Sequence, residues 1–141
     1  MTIAQGATNV FKLGLMDATY DLSSGAYNIA LYTGAASIGP DTAAYTTDGE
    51  VVADGYTAGG EPLTITQVPT IGNQTGLATA YMSFGDVTWT SALTARGALI
   101  YDSSSLASVC VLDFGADKTS TTTFTVQFPA ITNTSAIIRM S

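Results

Sequence analysis

The chain has 141 residues, of which 46% are apolar, four are basic and eleven are acidic, for a net charge of −7. That length is enough to bury a hydrophobic core unaided, so a single domain over residues 1–141 is expected. The acidic balance lacks the cationic footprint of a nucleic-acid binder, and charged residues make up only 11% against roughly 25% in typical domains, leaving Thr, Ser, Asn and Gly to form the polar surface.

The first residues, through Asn9, have neither the basic nor the apolar region of a secretory signal and are expected to stay on the mature chain. Thr8-Asn9 can cap a short N-terminal helix carrying Phe11, Leu15 and Ala18 on one face and ended by Ser23-Ser24-Gly25. Phe11, Leu13 and Leu15 also alternate as a strand would. From Ala26 the period becomes two, with Tyr27, Ile29 and Leu31 facing one way and Asn28, Ala30 and Tyr32 the other, which predicts a strand. A loop rich in Gly, Pro and Thr follows to about Tyr45, then Glu50-Val51-Val52, then Asp54 to Gly60, which holds too much glycine for a regular element.

Short β-like runs fill the second half: Leu63 to Val68, Leu77 to Phe84, Asp86 to Trp89, Gly97 to Tyr101, Val109 to Phe114, Thr122 to Phe128 and Ala136 to Met140. Close spacing without intervening amphipathic helices predicts a mainly β fold, an antiparallel β-sandwich or barrel-like (jelly-roll-like) single domain. Gly72 to Gly76 reads as an extended turn, and Pro129 marks the end of the penultimate strand. No apolar run reaches the roughly 18 residues of a membrane helix, so no membrane association is expected.

Catalytic chemistry is mainly excluded. The chain has no histidine and one cysteine, so Ser-His-Asp and Cys-His arrangements and thiolate or imidazole zinc sites cannot be assembled. No catalytic residue, metal site or cofactor is assigned. Cys110, within Val109 to Leu112, reads as a small buried hydrophobe. Asp102, Asp113 and Asp117 can approach at strand ends, but their spacing is not that of a calcium loop, and aspartates near turns usually bond their own backbone. Asp113-Phe114-Gly115 matches a kinase triplet without the rest of the kinase machinery, and Gly55 to Gly60 lacks the Gly-Lys-Ser/Thr of a phosphate loop. Arg96 leads straight into a core-like strand; it is either a solvated edge residue or half of a buried or inter-subunit ion pair with Glu61, Asp86 or a carboxylate of a neighbouring subunit. Trp89 and the tyrosines are expected in the core with their polar tips at its rim.

The order Tyr27 to Thr33, Gly55 to Gly60, Val87-Thr88-Trp89, Thr94 to Tyr101 and Val111 to Gly115 resembles a family of small virion structural proteins of tailed bacteriophages, with Phe124 to Phe128 and Ile137 to Arg139 similar to its closing strands. The resemblance covers nearly the whole chain. It departs at Asp54-Gly55, Glu61-Pro62 and the Gly72 to Gly76 turn. It implies a non-enzymatic capsid decoration or cement protein on the head surface, made in the bacterial host cytoplasm. The expected partners are the major capsid protein and copies of itself, with a trimer at three-fold positions the symmetry-matched arrangement. A tail, collar or baseplate subunit and a host-surface carbohydrate-binding module are the alternatives. The candidate interface is the loop Gly55, Tyr56, Thr57, Ala58, Gly59 and Gly60, together with the N-terminal residues, since loops and termini can conform to a partner.

Overall fold

The computed structural model describes residues 2–74, 77–132 and 134–140. Its elements are β1 (Gly6–Ala7), α1 (Asn9–Met16), β2 (Tyr27–Tyr32), β3 (Glu61–Leu63), β4 (Ile65–Gln74), β5 (Leu77–Phe84), β6 (Val87–Trp89), β7 (Thr94–Asp102), β8 (Ser108–Thr119), β9 (Phe124–Val126) and β10 (Ile138–Met140). A five-stranded sheet runs β1-β8-β7-β2-β3, a three-stranded sheet β10-β5-β4, and β6 pairs with β9. All the ladders between these strands are antiparallel, giving the mainly β, sandwich-like domain with one short helix that the periodicity predicts.

The central strands are apolar on both faces because both faces are covered. Ile29, Leu31, Ala98, Ile100 and Val109 pack into the larger core with Phe84 of β5, Trp89 of β6 and Phe124 of β9. Ala30, Tyr32, Leu99, Tyr101 and Val111 point the other way, into a smaller core closed by Ala36 and Ile38 of the long loop after β2. Each fully buried Ile or Leu contributes about 1.5–3 kcal/mol.

Thr8 caps α1 as expected, its Oγ1 accepting the Phe11 N–H at 3.3 Å. The helix stops at Met16, short of Ala18. Asp17 turns the chain there: its carboxylate accepts the Thr19 N–H at 3.2 Å, an Asx turn that competes with helix, and Ala18 takes a left-handed φ of 62°.

The run from Leu63 divides at Thr64, with β3 in the larger sheet and β4 in the smaller. β4 then passes through Pro69, which is tolerated because β4 is an edge strand whose register shifts between Gln67 and Thr70. Of the predicted turn at 72–76, Gly72, Asn73 and Gln74 instead extend β4 opposite Thr79, Ala78 and Leu77, while Thr75 and Gly76 lie outside the described residues.

Trp89 is fully inside, and its polar tip does not reach the rim as expected: the indole Nε1–H is buried with no hydrogen-bond partner among the described residues. Its ring meets Tyr56 and Phe124 at centroid distances of 6.1 and 6.3 Å. Trp89→Phe removes the unsatisfied donor and keeps a ring, which offsets part of the cavity it leaves, so it should cost clearly less than Trp89→Ala, at about 3–5 kcal/mol. Urea unfolding of both variants measures the difference.

Candidate functional site

Strand β3 pairs with β2 only from Tyr27 to Ile29, which leaves the outer edge of Leu31 without a strand partner. A buried backbone group must be satisfied somewhere. The loop of residues 33–60 does it: Val51 N–H donates to Leu31 O at 2.9 Å, and Leu31 N–H donates to the Tyr56 hydroxyl at 2.8 Å. That hydroxyl donates in turn to Glu50 Oε1 at 2.8 Å. Glu50 is itself buried, and it also accepts the Gly59 N–H on Oε1 at 2.7 Å and the Tyr45 hydroxyl on Oε2 at 2.6 Å. Tyr101, stacked on Tyr45 at 4.8 Å, donates to Gly59 O at 2.6 Å. One carboxylate thus gathers the loop at three points and fastens it to the central sheet.

The predicted interface loop is therefore not a pliable one. Thr57 and Ala58 stand exposed at its tip and Gly55 is exposed beside them, Gly59 and Gly60 are half-buried, and Tyr56 is an interior anchor. Gly60 has a φ of 76°, and a Cβ there would lie 1.8 Å from Ile29 O, so no other residue fits. The N-terminal residues are also tied down rather than free. Ala4 N–H donates to Ile38 O at 2.9 Å, Ile38 N–H donates to Thr2 O at 3.0 Å, and Gly6 and Ala7 pair with Val111 and Cys110.

Arg96 pairs with Asp113, not with Glu61 or Asp86. Its Nε lies 3.3 Å from Asp113 Oδ1, with the two side chains 38% and 28% exposed. The register explains the choice. The bulge at Arg96 between β7 and β8 sets it beside Asp113, which opposes Gly97. Glu61 lies across β2, opposite Ile29, and Asp86 Oδ1 is engaged by the Phe128 N–H at 2.8 Å. Water screens a pair this exposed, so it adds little to stability.

The aspartates serve their own turns. Asp113 Oδ1 accepts the Gly115 N–H at 2.9 Å, and that bond, with Arg96, holds its carboxyl below the usual range. Asp102 Oδ1 accepts the Ser104 N–H at 2.9 Å, at the other end of β7 from the Arg96 bulge. Burial pushes the Cys110 thiol up to about 12, which keeps it protonated and unreactive.

A second buried polar cluster escaped the sequence reading. The Ser108 hydroxyl donates to Thr8 Oγ1 at 2.9 Å and reaches Thr42 O, while the Tyr20 hydroxyl donates to Ser108 O at 2.7 Å. These hydroxyls face one another and backbone carbonyls and join the helix start, the loop and β8. Glu50 was also missed as a site. The only signal was a glutamate set between the turn residues Asp48-Gly49 and Val51-Val52, in a segment flanked by Tyr45 and Tyr56.

The fold and these polar clusters define a β-sandwich-like domain whose buried polar groups fasten loops to sheets. Comparison with protein-family models, curated proteins and solved structures finds no match to the chain.

Two outcomes follow from the Glu50 tether. Glu50→Ala leaves the buried Tyr56 hydroxyl without its acceptor, at about 1–3 kcal/mol, and turns the half-buried Gly59 N–H and Tyr45 hydroxyl towards water, so thermal unfolding should show a loss of at least about 1 kcal/mol, with Glu50→Gln losing less. Burial, followed by nearby carboxylates, also raises Tyr27 to about 12. Tyr45 and Tyr56 are raised too, by burial first and by Glu50. The fold thus holds neutral phenols: their contribution is complete below about pH 10, where unfolded tyrosine ionises, and is lost as pH rises through the native values. Tyrosinate absorbance should therefore lag that of an unfolded control and then rise together with loss of β-sheet circular dichroism.

Proposed function

We propose that this chain is a non-enzymatic structural protein of a tailed-bacteriophage particle, a decoration or cement protein that binds the head surface and bridges neighbouring major capsid subunits. The observation that carries this reading is the pairing of a tethered interior with a sparsely charged exterior on which large apolar side chains stand in water. Val52, Met16, Ile71 and Leu13 are 97%, 85%, 74% and 62% exposed on a chain with only 11% charged residues. Side chains of this size in water are suited to being covered by a neighbour. The segments that resemble the virion family also include the structural centre: Tyr27 to Tyr32 is β2, Thr94 to Tyr101 lies in β7 and Val111 to Gly115 in β8.

A cement protein works by mass action on assembly. Separating two capsid subunits that it spans also exposes the surfaces it covers, so bound copies stabilise the closed shell. Many copies on a symmetric lattice turn modest individual contacts into a strong collective one, and a trimer suits three-fold positions. Thr57 and Ala58, held out by the Glu50 tether, are the contact points assigned to the loop. A carbohydrate platform is less well supported, because the aromatic side chains are buried or half-buried.

Densitometry of intact virions beside separated heads and tails tests the proposal. Hundreds of copies per head, on the order of the lattice positions to be covered, are expected. A few copies confined to tails would replace it with a tail, collar or baseplate role.

A further inference from the structure

The two main sheets do not close on each other at the side where β1 and β10 lie. Each is the last strand of its sheet, paired on one side only among the described residues. Between them and α1 lies a groove of about 380 Å³, lined by Phe11, Leu15, Cys110 and Ile138 among others, with Met16 and Met140 also on its wall. These two methionines are 85% and 59% exposed, and flexible thioether side chains suit a surface that adapts to what it binds.

The charge of this groove is opposite to that of the chain. Lys12 and Arg139, two of the four basic residues, line it, and none of the eleven acidic residues does. Of the other two cations, Arg96 is engaged with Asp113. Among the described residues Arg139 donates only from Nη1 to Thr134 O, and its guanidinium carries further N–H groups that can meet a ligand. On a body of net charge −7, an acidic partner is repelled over most of the surface and steered to this place.

We infer that the groove between β1, α1 and β10 binds an extended peptide segment of another protein that carries carboxylates among apolar side chains. The free edge of β10 supplies main-chain hydrogen bonds, the apolar lining takes the inward side chains, and Lys12 and Arg139 hold the acids. The inference stands apart from the viral reading, since it depends only on the chemistry of the groove.

The test uses the isotope-labelled full chain and a short end-blocked peptide alternating glutamate and valine, with its lysine–valine counterpart as control. Amide shifts at β1, α1 and β10 are expected with the acidic peptide alone. The Lys12→Glu/Arg139→Glu variant should weaken binding at least about tenfold, a change of about 1.4 kcal/mol. Met140→Asp, checked like the double variant for an unchanged melting curve, should weaken it too. Equal binding of the lysine peptide, or shifts elsewhere on the protein, overturns the inference. So does displacement of the peptide by decanoate, which would make the groove a site for a single-chain amphiphile. Concentration-dependent self-association that the double variant abolishes would make the occupant a second copy and likewise overturn it.

Discussion

The outer edge of β2 sets the constraint on which much of the molecule depends. Its partner strand ends opposite Ile29, yet the sheet continues, and Leu31 is left with an N–H and a carbonyl deep inside the protein. Glu50 resolves this at one remove by fixing Tyr56, whose hydroxyl takes the place of a ladder acceptor. The same carboxylate holds Gly59 and Tyr45, so the loop that satisfies the edge also roofs the second core over Tyr32, Leu99 and Val111. A connection as long as residues 33–60 without regular structure is uncommon inside a compact domain. Here Glu50 gathers Tyr45, Tyr56 and Gly59, and further bonds tie Ile38 to the N-terminal segment, Thr42 and Ala43 to Ser108, and Tyr45 to Leu106.

That arrangement separates what the sequence discloses from what it conceals. Alternation at Tyr27 to Tyr32 and the apolar runs around Leu99 and Val111 identify the central strands, because a strand's period is local. The Thr8 cap is local too. Helix termination at Asp17, the crossing between sheets at Thr64 and the continuation of β4 through Pro69 depend on turn chemistry or sheet position, which local periodicity does not carry. The partners of Glu50 and Arg96 are less legible still. Glu50 reads as an ordinary acid among loop residues until the sheet edge it serves is known. The partner of Arg96 follows from a single bulge between β7 and β8, and a different register would have brought another residue beside it.

The surface follows a different logic from the interior. Polar side chains inside are spent on loops and turns, while large apolar ones remain outside at α1, β4 and β10. Because the loop around Tyr56 and the N-terminal segment are both tied to the sheets, a partner of the kind proposed would meet surfaces already in shape. Binding to a preformed surface avoids most of the ordering entropy that a mobile loop would lose, so modest contacts suffice.

The bonds between Thr8 and Ser108 have a further consequence for how the molecule forms. They join positions a hundred residues apart, and β1 completes the large sheet only by pairing with Val111 and Cys110. Closing so large a loop costs entropy before any contact repays it, and topologies of this kind fold slowly. The helix start, made 100 residues before its partner Ser108, has no place to dock until β8 has followed. During that interval Phe11 and the apolar face of α1 have no shelter of their own, which makes the nascent chain, rather than the finished domain, the state most exposed to aggregation.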